Sequence, residues 1–210
     1  MALKVGKYII NLDLSGNSEK FKGKIDIDYS GNDGEVVLDG KEMHVESIKI
    51  GGNSHRFHQD RKNWKIILEG EVPAKGTISI SYEGRISNGL QGLYYAGHGE
   101  NSMLSTQFES NSAREMIPCF DNPSMKAVFS LSVKIKASLE AISNTTIKSE
   151  RTSGATKEVL FNDTPSMSTY LLIPNEILHH SQYGTTLSIA YSVKYLLYLI
   201  RIGYLCFYGV

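Results

Sequence analysis

Apolar residues recur at every second position through much of this chain. Ile25, Ile27 and Tyr29 alternate with Asp26 and Asp28, and Ile78, Ile80 and Tyr82 alternate with Ser79 and Ser81. Phe129, Leu131, Val133 and Ile135 alternate with Ser130, Ser132, Lys134 and Lys136, which is the cleanest run. Successive side chains of a strand point to opposite faces, so the pattern predicts half-buried antiparallel strands. Turn formers punctuate the runs at Asn32-Asp33-Gly34, Asp39-Gly40, Gly51-Gly52-Asn53 and Lys75-Gly76, each able to supply a positive φ or an Asx turn. Strands are expected near 7–15, 20–29, 35–38, 44–50, 63–69, 77–83, 92–96, 103–109, 129–135, 157–162 and 167–173. The polar segment 149–155 reads as a solvated loop. The fold class is all-β, an antiparallel saddle or sandwich.

One stretch breaks the rhythm. From Ser105 to Lys126 the chain has Gln107 and Glu109 two apart on an extended segment, a short helical turn, then Pro118 and Pro123. Each proline removes a ladder donor and restricts the residue before it, so this is no ordinary strand.

The carboxy-terminal part changes character again. Residues 187–210 read LSIAYSVKYLLYLIRIGYLCFYGV, with Lys194 and Arg201 the charges among them. Roughly 20 apolar residues cross a bilayer, but an arginine inside a span costs about 2.5–3.5 kcal/mol, so Arg201 argues against a membrane anchor. Two units are expected: a β domain over 1–175 and an apolar tail over 176–210.

Composition narrows the function classes. Lys+Arg and Asp+Glu are both 22 in 210 residues, so no global basic field points to nucleic acid. Cys119 and Cys206 make neither a Cys-x-x-Cys pair nor a disulfide framework, which fits a reducing compartment. The first residues hold no apolar run of leader length, so a cytoplasmic location is expected.

The chain resembles the N-terminal β domain of the aminopeptidase N type of zinc metalloaminopeptidase, the gluzincin family that includes archaeal tricorn-interacting factors. The residues that carry the resemblance are Gly92-Leu93-Tyr94-Tyr95, Thr106-Gln107-Phe108-Glu109, Ala113-Arg114, Pro118-Cys119-Phe120-Asp121-Asn122-Pro123, Met125-Lys126-Ala127-Val128-Phe129 and Met167-Ser168-Thr169-Tyr170-Leu171-Leu172. Asn122 stands where the family usually has Glu. The resemblance implies a saddle-shaped β domain whose Gln107 and Glu109 reach the active site of the next domain, Glu109 holding the substrate's free α-amino group. The chemistry fits: a carboxylate accepts charge-assisted hydrogen bonds from an ammonium, and a carboxamide orients a neighbouring side chain or carbonyl.

The catalytic signature of that family is absent from this sequence. No His-Glu-x-x-His occurs, and no Met is followed by Glu, so Gly-x-Met-Glu-Asn is missing too. No metal is therefore expected on this chain, zinc belonging to the full-length family, and the chain alone is expected to be inactive. His55 and His58 sit in a polar segment that reads as a loop, and adjacent His179 and His180 diverge on either a strand or a helix. Cys119 has no neighbouring base and reads as a structural thiol. The resemblance stops near Ile173, which suggests a truncated or frame-shifted product. The expected function is recognition of a peptide with a free N-terminus, beside a catalytic domain or another protein chain. The alternative is a non-enzymatic interaction module using the exposed saddle surface.

Overall fold

The computed structural model describes residues 3–16, 19–31, 35–96 and 103–179. Its strands are β1 (Lys4–Asp13), β2 (Lys20–Ser30), β3 (Val37–Asp39), β4 (Met43–Ile50), β5 (Asn53–His55), β6 (Phe57–Asp60), β7 (Lys65–Leu68), β8 (Lys75–Arg85), β9 (Gly92–Ala96), β10 (Met103–Gln107), β11 (Val128–Lys136), β12 (Leu139–Ser143), β13 (Ile147–Ser153), β14 (Thr156–Phe161) and β15 (Pro174–His179). The α-helix is absent from the described residues, and the helical pieces are 3-10 turns at Ala113–Glu115 and Thr169–Leu171. The all-β expectation holds.

Among the described residues the strands form three sheets. The largest runs β13-β14-β11-β1-β2-β8-β4-β5, a second β12-β15-β10-β9, and a third β3-β7-β6. Period two decides which face is buried: in β2, Phe21, Ile25, Ile27 and Tyr29 are buried while the lysines between are exposed. Tyr8 stacks on Phe129 with ring centroids 5.0 Å apart, across the β1–β11 pair. That pair is parallel, whereas the other named pairs are antiparallel. Parallel neighbours need a long crossover, and everything from β2 to the 3-10 turn at Ala113 intervenes.

Several expectations are corrected. Residues 149–155 are not a loop: β13 and β14 form a hairpin closed at Ser153 and Thr156 around Gly154 at φ +59°. Every side chain of β13 is exposed because it is an edge strand, so it reads polar on both faces. Residues 167–173 are not a strand but carry the second 3-10 turn, with β15 following. There Ser168 and Thr169 donate their hydroxyls to Pro123 O at 2.6 Å and Asp121 Oδ1 at 2.8 Å. Side-chain bonds of this kind compete with a ladder. His55 and His58 lie on β5 and β6 rather than in a loop. β15 runs through the expected boundary at 175; the rest of the expected tail, residues 180–210, with His180, Cys206 and the candidate membrane segment, lies outside the described residues.

Candidate functional site

Gln107 ends β10 and pairs in register with Gly92 of β9. Gln107 and Glu109 are exposed, while Phe108 between them is buried. An extended backbone puts i and i+2 on one side, so the buried Phe108 anchors the segment and turns both polar side chains outward. The chain then bends: Ser112 N–H donates to Phe108 O at 2.9 Å, and Ala113–Glu115 form the first 3-10 turn. β9 lies against that turn. A Cβ on Gly92, at φ +69°, would meet Glu115 Cβ at 2.7 Å, so only glycine lets the two approach. Glu115 is held from the other side by Lys41 Nζ at 3.0 Å.

Beyond the turn the backbone has little ladder to join, and side chains take over. Arg114 reaches three acceptors: Nε donates to Asp121 Oδ2 at 2.9 Å, Nη1 pairs with Asp39 Oδ1 at 2.9 Å, and Nη2 donates to Asp121 O at 3.2 Å. Asp121, whose side chain is 1% exposed, also accepts Thr169 Oγ1 at 2.8 Å. Asp39 receives Lys65 Nζ at 2.6 Å and the amide of Asp121 at 3.1 Å. Asp39 and Cys119 exchange backbone bonds at 2.7 and 3.0 Å, and Phe120 N–H donates to Tyr8 Oη at 3.2 Å. Residues far apart in sequence thus clamp residues 114–121, the stretch that follows Gln107 and Glu109.

The ionisable groups respond to this setting. Burial disfavours the Arg114 charge, yet the hydrogen bond to Asp121 and the fields of Asp39 and Asp121 hold its pKa above the ordinary value. Burial, and then the nearby Asp121 and Asp39 carboxylates, push the Cys119 thiol well up, and this buried thiol is not a nucleophile. The Tyr8 phenol rises for the same first reason, burial, with the Cys119 sulfur adding to it.

The sequence offers Gln107 and Glu109 as candidates, and the structure leaves both exposed; the sequence assigns no role to Asp39 or Lys65, and Thr169 stands in it only within a motif. Asp39-Gly40 looks like a turn; the available signal was a carboxylate closing the apolar run Val36-Val37-Leu38. For a metal, the donor set does not fit. Among the described residues no group of three or more His, Cys, Asp or Glu could hold an ion, and His44 and His58 are exposed on separate strands. No helix of the described residues is long and apolar enough to cross a membrane.

Fold and motif together are those of the amino-terminal β domain of a peptidase family. Residues 5–171 match the Peptidase M1 N-terminal domain, and the chain belongs to that family. It is 40% identical over 171 residues to probable aminopeptidase 2 of Sulfurisphaera tokodaii, covering 81% of this chain and 21% of that protein. It is 35% identical over 171 residues to leucyl aminopeptidase of Saccharolobus solfataricus, with the same two coverages. It is also 35% identical over 168 residues to tricorn protease-interacting factor F2 of Thermoplasma acidophilum, covering 80% and 21%. The chain thus spans about a fifth of the length of the curated relatives it matches.

Proposed function

We propose that this domain supplies the amino-terminus-recognising edge of an aminopeptidase active site completed by a catalytic domain, in the same polypeptide or in a second chain. Glu109 receives the substrate's α-ammonium, and Gln107 orients the first residue. The observation that carries this reading is the outward projection of both side chains from a segment clamped by Phe108, Arg114 and Asp121. A recognition group needs such support, because a misplacement of about 1 Å costs binding geometry. The chain's own contribution is binding and orientation; the metal, zinc by family resemblance, and the hydrolytic step belong to residues other than those described here. The relative named as a tricorn protease-interacting factor supports a protein partner as well as a peptide. A cytoplasmic location agrees with the free, buried Cys119.

The test is a chimera in which residues 1–173 of this chain replace the amino-terminal fifth of probable aminopeptidase 2 of S. tokodaii. Losing a hydrogen bond between charged groups costs about 1.5–3 kcal/mol, so Glu109→Gln is expected to lower kcat/KM about 10- to 150-fold. Gln107→Ala is expected to change the preference for the first residue. Values within twofold of the parent chimera for both variants would sink the reading. The 210-residue chain alone is expected to turn over no aminoacyl chromogenic amide, with added zinc or with chelator.

A further inference from the structure

A cavity of about 370 Å³ lies between the β6–β7 hairpin and the end of the β4–β8 pair, and neither Gln107 nor Glu109 lines it. Its base is formed by buried Gly40, Met43 and Gly84, and Trp64 forms one wall. Gln59 ties hairpin to sheet, its side chain accepting Val45 N–H at 3.0 Å and donating to Met43 O at 3.3 Å. The volume falls within the range of small-molecule sites, and the base is apolar.

Two features distinguish this cavity from an ordinary surface recess. Among the described residues, two non-glycine residues have positive φ, Glu42 at 54° and Trp64 at 58°, and both line it. A bulky side chain in this region costs roughly 1–3 kcal/mol, and such strain collects where a site needs a particular side-chain direction. The second feature is charge. Most charged groups of the wall are engaged: Lys20 with Glu83 at 2.6 Å, Lys65 with Asp39 at 2.6 Å, Arg85 with Glu19 at 3.4 Å, and Asp60 with the turn amides of Lys62 and Asn63. Glu42 and Arg61, exposed and of opposite sign, have no such partner among the described residues.

We propose that this cavity binds a free α-amino acid with an apolar or aromatic side chain, Glu42 receiving its ammonium, Arg61 its carboxylate, and Trp64 with Met43 its side chain. The spare charges match a zwitterion, whereas a plain anion or cation would leave one of them unanswered. The apolar base and the indole account for the side chain. The site is separate from the Gln107–Glu109 edge, so neither reading depends on the other.

Trp64 is the single tryptophan, so its fluorescence reports the cavity directly. The 210-residue chain is titrated with L-phenylalanine and L-leucine, and in parallel with N-acetyl-L-phenylalanine and L-phenylalaninamide. A saturable change with the free amino acids is expected, with affinity at least about tenfold weaker for each blocked form. Glu42→Gln and Arg61→Gln are expected to weaken the free amino acids to a similar degree while circular dichroism stays unchanged. The absence of a saturable change up to roughly 10 mM would overturn the proposal, that concentration corresponding to binding too weak for three groups acting together. Equal binding of the blocked forms by the unaltered chain would overturn the zwitterion assignment, whatever the variants do.

Discussion

Truncating Asp121 to alanine tests the clamp on the stretch that follows Gln107 and Glu109. The Asp121 carboxylate accepts Arg114 Nε at 2.9 Å and Thr169 Oγ1 at 2.8 Å, with its side chain 1% exposed. Asp121→Ala removes both acceptors and leaves the Thr169 hydroxyl, on a residue 1% exposed, with no replacement. Removing one partner of a buried ion pair costs about 3–5 kcal/mol, largely because the other charge stays buried. Arg114 keeps Asp39 at 2.9 Å and its side chain is 19% exposed, which lowers that cost. The orphaned hydroxyl adds to it, since an unsatisfied buried group costs about 1–3 kcal/mol. The two corrections oppose each other, and the expected loss is about 3–4 kcal/mol. With a urea slope of about 2 kcal/mol/M, the midpoint falls by about 1.5–2 M, followed by Trp64 fluorescence and far-ultraviolet circular dichroism of the 210-residue chain. Glu19→Ala serves as the control, because the exposed Glu19–Arg85 pair is worth less than about 1 kcal/mol. A loss below about 1 kcal/mol for Asp121→Ala would refute the clamp.

Two further outcomes follow from the buried groups. The Tyr82 hydroxyl is buried with no hydrogen-bond partner among the described residues, so Tyr82→Phe is expected to leave stability unchanged or raise it by up to about 1 kcal/mol; a loss larger than that in urea unfolding would mean the hydroxyl has a partner. Burial raises the pKa of Cys119 above 9.0 and those of Tyr8 and Tyr82 above 10.0, so the folded chain keeps protons that the unfolded chain releases. The associated stability is complete below pH 9.0 and declines as pH rises from there toward the folded values, so the melting temperature should fall across the alkaline range; a flat profile above pH 10.0 would refute it.

What the sequence disclosed follows from how each element is stabilised. β2, β8 and β11 bury one face each, and that face is written every second residue: Ile25 and Ile27, Ile78 and Ile80, Leu131 and Val133. β13 buries neither face, and its identity as a strand comes from its backbone bonds to β14, which side-chain periodicity does not record. The 3-10 turn at Thr169 reads as a strand in sequence because its apolar run, Tyr170-Leu171-Leu172, looks the same in both; what decides it is Thr169 bonding to Asp121, 48 positions earlier. Separation in sequence also hides Asp39, which meets Asp121 82 positions on, and Lys65, which meets Asp39 across 26. A motif marks Gln107 and Glu109 as candidates, whereas the residues that brace the stretch after them come from distant segments: Asp39 on β3, Lys65 on β7 and Thr169 on the second 3-10 turn.

The clamp also shows why a polar cluster stands where an apolar plug would be cheaper to bury. Two carboxylates, Asp39 and Asp121, face two cations, Arg114 and Lys65, in a region flanked by Tyr8, Cys119 and Phe120. Replacing such a set with apolar side chains is often neutral or stabilising in other folds, so stability alone does not account for it. Apolar contacts are non-directional, whereas the planar guanidinium fixes the angles of what it binds. Arg114 sets the end of β3, the stretch around Asp121 and its own turn in one arrangement, and Thr169 locks a fourth segment to it. Gln107 closes the β9–β10 ladder and Glu109 follows it, a few residues before that junction. Under the proposed function direction is what Gln107 and Glu109 require, and beyond the end of β10 ionic geometry supplies it.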